Sequence, residues 1–132
     1  MSQTQAHEAE NEFRFRTVLD HTYDWEYWIN PDSTIRYISP SCERITGYSP
    51  EAFMAKPDLL LDIVHADDRE TLLAHTVAGH NLQEHAVMYF RLITRSGTTR
   101  WIEHRCLPIF SNQGEYLGRR VSNRDVTDRV KA

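Results

Sequence analysis

At 132 residues, with 40% hydrophobic and 26% charged side chains, the chain has the size and composition of one folded domain and no room for two. Fifteen Lys and Arg against 19 Asp and Glu give a formal charge of −4 with no long single-sign tract, which argues against nucleic acid as a partner. No apolar run approaches the roughly 20 residues of a membrane span, and the polar start MSQTQAHEAENE lacks the features of a secretory signal, so a cytoplasmic setting without membrane contact is expected.

Residues 1–12 read as a polar segment that leads into a flanking helix. Phe15, Val18, Leu19 and Thr22 follow helical spacing, which predicts an amphipathic helix over 8–20 whose apolar face lies on the domain's own sheet or against a second copy. DWEYWIN and IRYIS, on either side of Pro31-Asp32-Ser33, read as a β-hairpin. Ser39-Pro40 and Ser49-Pro50 each place a capping hydroxyl before a proline suited to the first helical position, and Gly47 is positioned to end the first of these two short helices. The apolar stretch 56–64 is long enough for one helical turn or an irregular connector.

A longer helix is predicted from Asp67, with Asp67 and Glu70 as a capping box and Leu72, Leu73, Thr76, Val77 and His80 on one face, to about residue 79. Three strands follow over 84–95, 98–110 and 115–124, separated by Ser96-Gly97 and the turn 111–114, as an antiparallel meander. Asp125 is then placed to cap a further helix, with Val126 and Val130 on one seam. Two strands, several short helices and three strands specify an α+β domain with helices across one face of a five-stranded antiparallel sheet.

The sequence holds no P-loop, GxSxG elbow, HExxH or CxxC, so the domain by itself is expected not to be an enzyme. His75, His80 and His85 recur every five residues, a spacing that does not return to one helix face, and no metal site is expected from them. Cys42 and Cys106 read as two buried thiols rather than a disulfide. On the strand 98–110, alternation puts Trp101, Glu103, Arg105, Leu107 and Ile109 on one face and Ile102, His104, Cys106, Pro108 and Phe110 on the other. With His104 and Cys106 turned to the helices, cross-strand Arg120 and Ser122 would complete a cationic, hydrogen-bonding patch for a carboxylate or similar anion. Trp28 and Tyr37 on the first hairpin join them as candidate ligand-binding residues. The plainer reading has His104 bonded to a neighbouring group and Arg120 paired with an acid. Trp25 and Trp28, an odd number apart, are expected on opposite faces, one in the interior and one under the N-terminal helix or at a dimer contact.

Three segments carry a family likeness: INPDSTIRYISPSCERITGYSPEAF, IVHADDRE, and RLITRSGTTRWIEHRCLPIFSNQGEYLGRRVSNRDVTDR. Together they resemble a PAS sensor domain with its C-terminal PAC portion, over nearly the whole chain from about Phe13. The resemblance implies the PAS fold, with a five-stranded antiparallel sheet, short helices packed on one face, and flanking N- and C-terminal helices. Three positions depart from the family pattern: Ser33 where glycine is usual, Ser96 where Asp-Gly is common, and Ala66 where proline is frequent.

Flavin-binding photosensory members carry a reactive cysteine in an Asn-Cys-Arg motif on the helix after the second short one. Cys42 lies earlier, in SCERITGY, so that assignment does not carry over. Haem-binding members carry a proximal histidine in the long helix, at a position that aligns near Leu72. No cofactor is therefore expected, and haem through His75 or His80 is the alternative. Asp125-Val126-Thr127 resembles the family's junction to a downstream helix, which implies a relay role for Asp125 and Thr127.

The expected organisation is a sensory domain over 13–127 and, at 128–132, the start of a linker helix to a covalently joined effector. The implied parent is a sensor histidine kinase or a diguanylate-cyclase-type regulator. The domain would bind a small ligand between sheet and helices and form a homodimer through its N-terminal helix. The alternatives are a haem- or flavin-based redox or gas sensor and a ligand-free protein-protein interaction module.

Overall fold

Alternation of buried and exposed residues along the last two strands decides the layering. Ile102, His104 and Cys106 on one strand, and Arg119, Val121 and Asn123 on the next, all point inward and are buried. The computed structural model describes residues 3–78 and 86–131. In chain order it forms α1 (Gln3–Asp20), β1 (Trp25–Ile29), β2 (Ile35–Ile38), α2 (Ser41–Thr46), α3 (Pro50–Ala55), α4 (Leu59–Ile63), α5 (Ala66–Ala78), β3 (Ala86–Ile93), β4 (Thr99–Phe110), β5 (Tyr116–Asp125) and α6 (Thr127–Lys131). The strands make one five-stranded antiparallel sheet in the order β2-β1-β5-β4-β3, so the α+β expectation holds.

The core lies between the sheet and α2–α5. Trp25, Phe53, Ile45, Phe90, Leu92 and Ile102 are each fully buried there, and the Trp25 and Phe53 rings meet at 5.1 Å. The opposite face of the sheet carries α1. Its Phe15 packs edge-on against Tyr37 at 5.1 Å and Trp28 at 6.0 Å, and Leu19 is buried. Of the two partners expected for this helix, its own sheet takes the Phe15–Leu19 face. Phe13 and Val18 remain 70% and 68% exposed.

Several local expectations hold and others change. Ser49 Oγ accepts the Ala52 N–H at 3.2 Å with Pro50 at the first helical position, and Gly47, left-handed at φ 82°, ends α2. Ser39 does not cap a helix. Its hydroxyl accepts the Glu26 N–H at 2.9 Å and ties the chain to β1, while Pro40 has helical angles and supplies no side-chain cap. Asp67 and Glu70 do not form a capping box either. The Asp67 N–H donates to His65 Nδ1 at 3.1 Å, and α5 begins one residue earlier than expected.

The neighbouring Asp68 bonds across to β3. It accepts from Arg91 N, Nε and Nη2 at 2.7, 2.9 and 2.8 Å, and these bonds hold its carboxyl below the usual range. The stretch 56–64 contains the short α4 and then Val64, which bridges to Leu92. At their shared turn, β3 ends at Ile93 rather than 95 and β4 begins at Thr99 rather than 98, because Thr94 N–H bonds the Thr98 carbonyl at 2.8 Å; the expected start of β3 at 84 lies outside the described residues. His80 and His85, and the side chain of His75, lie outside the described residues.

Ser33, where glycine was noted as usual, adopts φ 74°, and Asp32 Oδ1 steadies the turn by accepting the Thr34 N–H at 3.0 Å. A side chain in the left-handed region carries strain that glycine does not. Ser33→Gly is expected to raise stability by about 0.5–1 kcal/mol, the strain relief less the entropy of the added freedom, as a higher urea midpoint with unchanged slope. An unchanged or lower midpoint would count against strain at this turn.

Candidate functional site

Between the sheet and α3–α5 lies a cavity of about 460 Å³. Its apolar wall includes Ile35 and Ile38 of β2, Leu60 and Leu61 of α4, and Phe53 and Leu72. Both β2 isoleucines face inward because the β1–β2 register shifts between Trp28 and Ile29, leaving Arg36 as the extra residue. The sheet contributes the polar or partly polar side chains Trp25, Tyr27, His104, Cys106, Arg119 and Tyr116, and Asn30 and Ser33 of the β1–β2 turn and Asp58 before α4 add to them.

His104 and Cys106 line the cavity as expected, but the other sequence candidates lie elsewhere. The turn after β4 pairs Phe110 with Tyr116, and extending that register would set His104 opposite Ser122 and Cys106 opposite Arg120. A bulge intervenes: Ile109 pairs with Gly118, so Leu117 is the extra residue and the ladder slides by one. His104 therefore pairs with Asn123 and Cys106 with Val121. One slip of register exchanges sheet faces. Arg119 thus points inward, whereas Arg120 turns outward and pairs with Glu26 at 3.0 Å. Ser122, opposite Glu26 and Arg105, shares that outer face.

Trp28 and Tyr37 also face outward, under α1, with Arg36 stacked over both rings. The inward aromatics of β1 are Trp25 and Tyr27. Gly118 was the one signal in the sequence for this correction, since a lone glycine inside a strand pattern marks a bulge.

Within the cavity, His104 Nδ1 bonds Asn123 Oδ1 at 2.7 Å, which makes Nδ1 the protonated ring nitrogen. Arg119 Nε lies 2.7 Å from Cys106 Sγ. Burial pushes the Cys106 thiol up, and Arg119 offsets part of that rise. Burial likewise raises the Tyr27 phenol, with Cys106 adding to the effect and the Asn123 amide opposing it. Trp25 Nε1 is buried with no acceptor among the described residues. Cys42 sits in α2 away from this lining, and burial followed by Glu43 and Glu51 pushes its thiol up to about 12, which disfavours the thiolate. Among the described residues, no three His, Cys, Asp or Glu side chains converge to hold a metal ion.

The β5–α6 junction forms a second cluster. Asp125 Oδ1 accepts the Thr127 N–H at 3.0 Å and its hydroxyl at 2.5 Å, while Oδ2 pairs with Arg100 at 2.6 Å. Burial works to raise the Asp125 carboxyl, and the Thr127 and Arg100 bonds more than offset it, so it lies below the usual range. Thr127 Oγ1 accepts the Trp101 N–H at 2.9 Å, and Val126 N–H donates to the Trp101 carbonyl at 2.9 Å. Sequence reading did not single out Glu103, which sits under α6 and bonds Arg129 at 2.8 Å, Arg105 at 2.7 Å and the Tyr89 hydroxyl at 3.2 Å.

A family model described as PAS fold matches residues 35–119. Over 94 residues the chain is 33% identical to the blue-light-activated histidine kinase of Brucella abortus (strain 2308), covering 71% of this chain and 18% of that protein. Among solved structures, a sensory box histidine kinase/response regulator from Burkholderia thailandensis E264 aligns at 27% identity and TM-score 0.64, over 89% of this chain and 88% of that one. The PAS domain of a Colwellia psychrerythraea protein aligns with TM-score 0.73 over 89% of this chain and 98% of that one; at 22% identity it shows likeness of fold.

Proposed function

Because the chain belongs to the PAS family, we propose that it is the sensory part of a larger signalling protein and binds a small carboxylate with an apolar body in the cavity between sheet and helices. The observation that carries this reading is the cavity itself. Its volume of about 460 Å³ lies within the range of small-molecule sites, its walls are mainly aliphatic and aromatic, and the buried Trp25 Nε1 donor has no acceptor among the described residues. Arg119, held at the polar end beside Cys106, has the charge and donor geometry for a carboxylate.

The domain does no chemistry of its own in this reading. It biases a two-state equilibrium in a covalently joined effector, through Asp125 and Thr127 at the start of α6. A histidine kinase is the effector that the Brucella relative supports, with a diguanylate cyclase the second choice. No cofactor is proposed: α4, the helix after the second short one, has the sequence LLLDI and offers no thiol to a flavin. Homodimerisation would use the outer surface of α1, where Phe13 and Val18 are exposed, and sedimentation velocity at micromolar concentration is expected to return a dimer.

Native mass measurement of the purified chain, followed by thermal-shift screening with short-chain and aromatic carboxylates, tests the ligand reading. A binder at a hundredfold excess over its Kd is expected to raise the melting temperature by about 5–10 °C, and Arg119→Gln to abolish that rise while far-UV circular dichroism is retained. Uniformly flat shifts with no retained mass would favour a packed core and an interaction module. A Soret or flavin absorption band would replace the carboxylate with a cofactor.

A further inference from the structure

A second cavity, of about 310 Å³, lies at another end of the domain, between the last turn of α2, the β3–β4 turn and the first residues of β4. Arg44, Arg95 and Arg100 line it with Glu43 as the single acid, joined by the hydroxyl residues Thr94 and Ser96. Three guanidinium groups against one carboxylate make a local cationic cleft in a chain whose formal charge is −4. The negative end of α2 does little to offset it, because the carbonyls of Cys42, Glu43 and Thr46 are taken by Thr46 Oγ1, Gly47 N–H and Arg95 N–H at 2.7, 2.8 and 2.8 Å.

The three arginines are held differently. Arg44 stacks its guanidinium over the Tyr23 ring at 3.8 Å and spends one donor on the Tyr23 carbonyl at 2.5 Å. Arg95 has its backbone pinned to Thr46, while its guanidinium makes no hydrogen bond or ion pair among the described residues. Arg100 reaches Asp125 through Nη1, and its Nε is left buried without an acceptor among the described residues. The Asp125 pairing therefore satisfies Arg100 incompletely, and a second acceptor in the cleft would compete for the same guanidinium.

We propose that this cleft binds a small molecule carrying a pair of phosphates, and that its occupancy draws Arg100 away from Asp125. The volume admits more than one tetrahedral anion, and several planar guanidinium forks match several oxygen pairs better than one carboxylate does. Arg100 is the link to α6. The Asp125 carboxylate it steadies also receives the N–H and hydroxyl of Thr127, so a change of partner at Arg100 reaches the first residue of that helix. The proposal is independent of the carboxylate reading, since the two cavities share no lining residue.

The probe is inorganic pyrophosphate, titrated into the whole chain at constant ionic strength, with calorimetry for affinity and ¹H–¹⁵N spectra for the Arg100 Nε–H and Thr127 N–H. Saturable one-to-one binding is expected, with progressive shifts of both resonances. Arg95→Gln is expected to weaken binding at least tenfold without loss of fold, since that side chain has no hydrogen bond or ion pair to lose among the described residues. Binding unaltered by Arg95→Gln, or a response that never saturates, would overturn the site. Saturable binding that leaves Thr127 unmoved would overturn the coupling to α6. Arg100→Lys provides a second variant: it keeps a cation for Asp125 and should lose the Thr127 response.

Discussion

Gly118→Ala is expected to cost about 4 kcal/mol or more, a large part of the 5–15 kcal/mol that holds a domain together, and to abolish a single cooperative urea transition. At φ 113° the residue lies where side chains are strained, and a Cβ there would sit 2.0 Å from the Ile29 carbonyl oxygen and 2.9 Å from Trp28 Nε1. The first of these neighbours is backbone and cannot rotate aside. β1 pairs with β5 along its whole length, from Trp25 with Asn123 to Ile29 with Arg119, so relieving the clash moves the β1–β2 hairpin as a unit. That motion withdraws Trp25 and Tyr27 from the core. Gly97→Ala is the control, because Gly97 has φ 91° with nothing within 4 Å of the added methyl, and strain alone of about 1–2 kcal/mol is expected there. Equal losses at the two glycines would show that the contact with Ile29 does not matter.

Glu103→Gln is expected to cost about 2 kcal/mol at neutral pH and to speed hydrogen exchange at Val130, whose N–H bonds Val126 at 3.0 Å in α6. The Glu103 side chain is 8% exposed, yet it receives Arg129 of α6 and Arg105 of its own strand. Arg129 first, then Arg105, with a smaller contribution from Tyr89, hold the carboxyl at about 2 against the penalty of burial. Both arginines are 61% exposed, which reduces their share through solvent screening and keeps the expected cost modest.

The pH dependence follows from the direction of that shift. A carboxyl depressed in the folded state contributes fully above its unfolded value of about 4.5 and loses the contribution as pH falls through about 2. The gap between wild type and Glu103→Gln should therefore stay constant from pH 7 to about pH 5 and close on further acidification. A gap that persists at pH 2 would mean that packing, not charge, is what the substitution removes.

Cap and turn chemistry was legible along the chain where one short segment supplies all the partners. Ser49-Pro50 opens α3 and Gly47 ends α2 because a hydroxyl three residues from an N–H, or a residue free to adopt left-handed angles, acts within a single turn. The same reasoning failed at Ser39 and at Asp67: Asp67 lies inside the helix with its N–H on His65, while Ser39 and the neighbouring Asp68 are held by partners distant in sequence. Ser39 bonds Glu26, thirteen residues back, and Asp68 bonds Arg91, twenty-three residues on. The capping groups were read correctly as polar, but the residues they meet are set by how α2 and α5 lie on the sheet.

The candidate site divides in the same way. Strand alternation and the order of elements determined an α+β domain, with Ile102, His104 and Cys106 on one shared face of β4, because side-chain direction along one strand depends only on its own period of two, while the sensor reading rested on the family resemblance. Which residues oppose them was decided by pairing between strands. The bulge at Ile109 and Leu117 exchanged Arg120 and Ser122 for Arg119, Val121 and Asn123, and α1 claimed Trp28 and Tyr37 on the far face. Register belongs to two strands at once, and the sign of each face is fixed only when helices cover it. Arg119 in the cavity and Glu103 beneath α6 are therefore properties of the assembled sheet rather than of either segment that contributes to it.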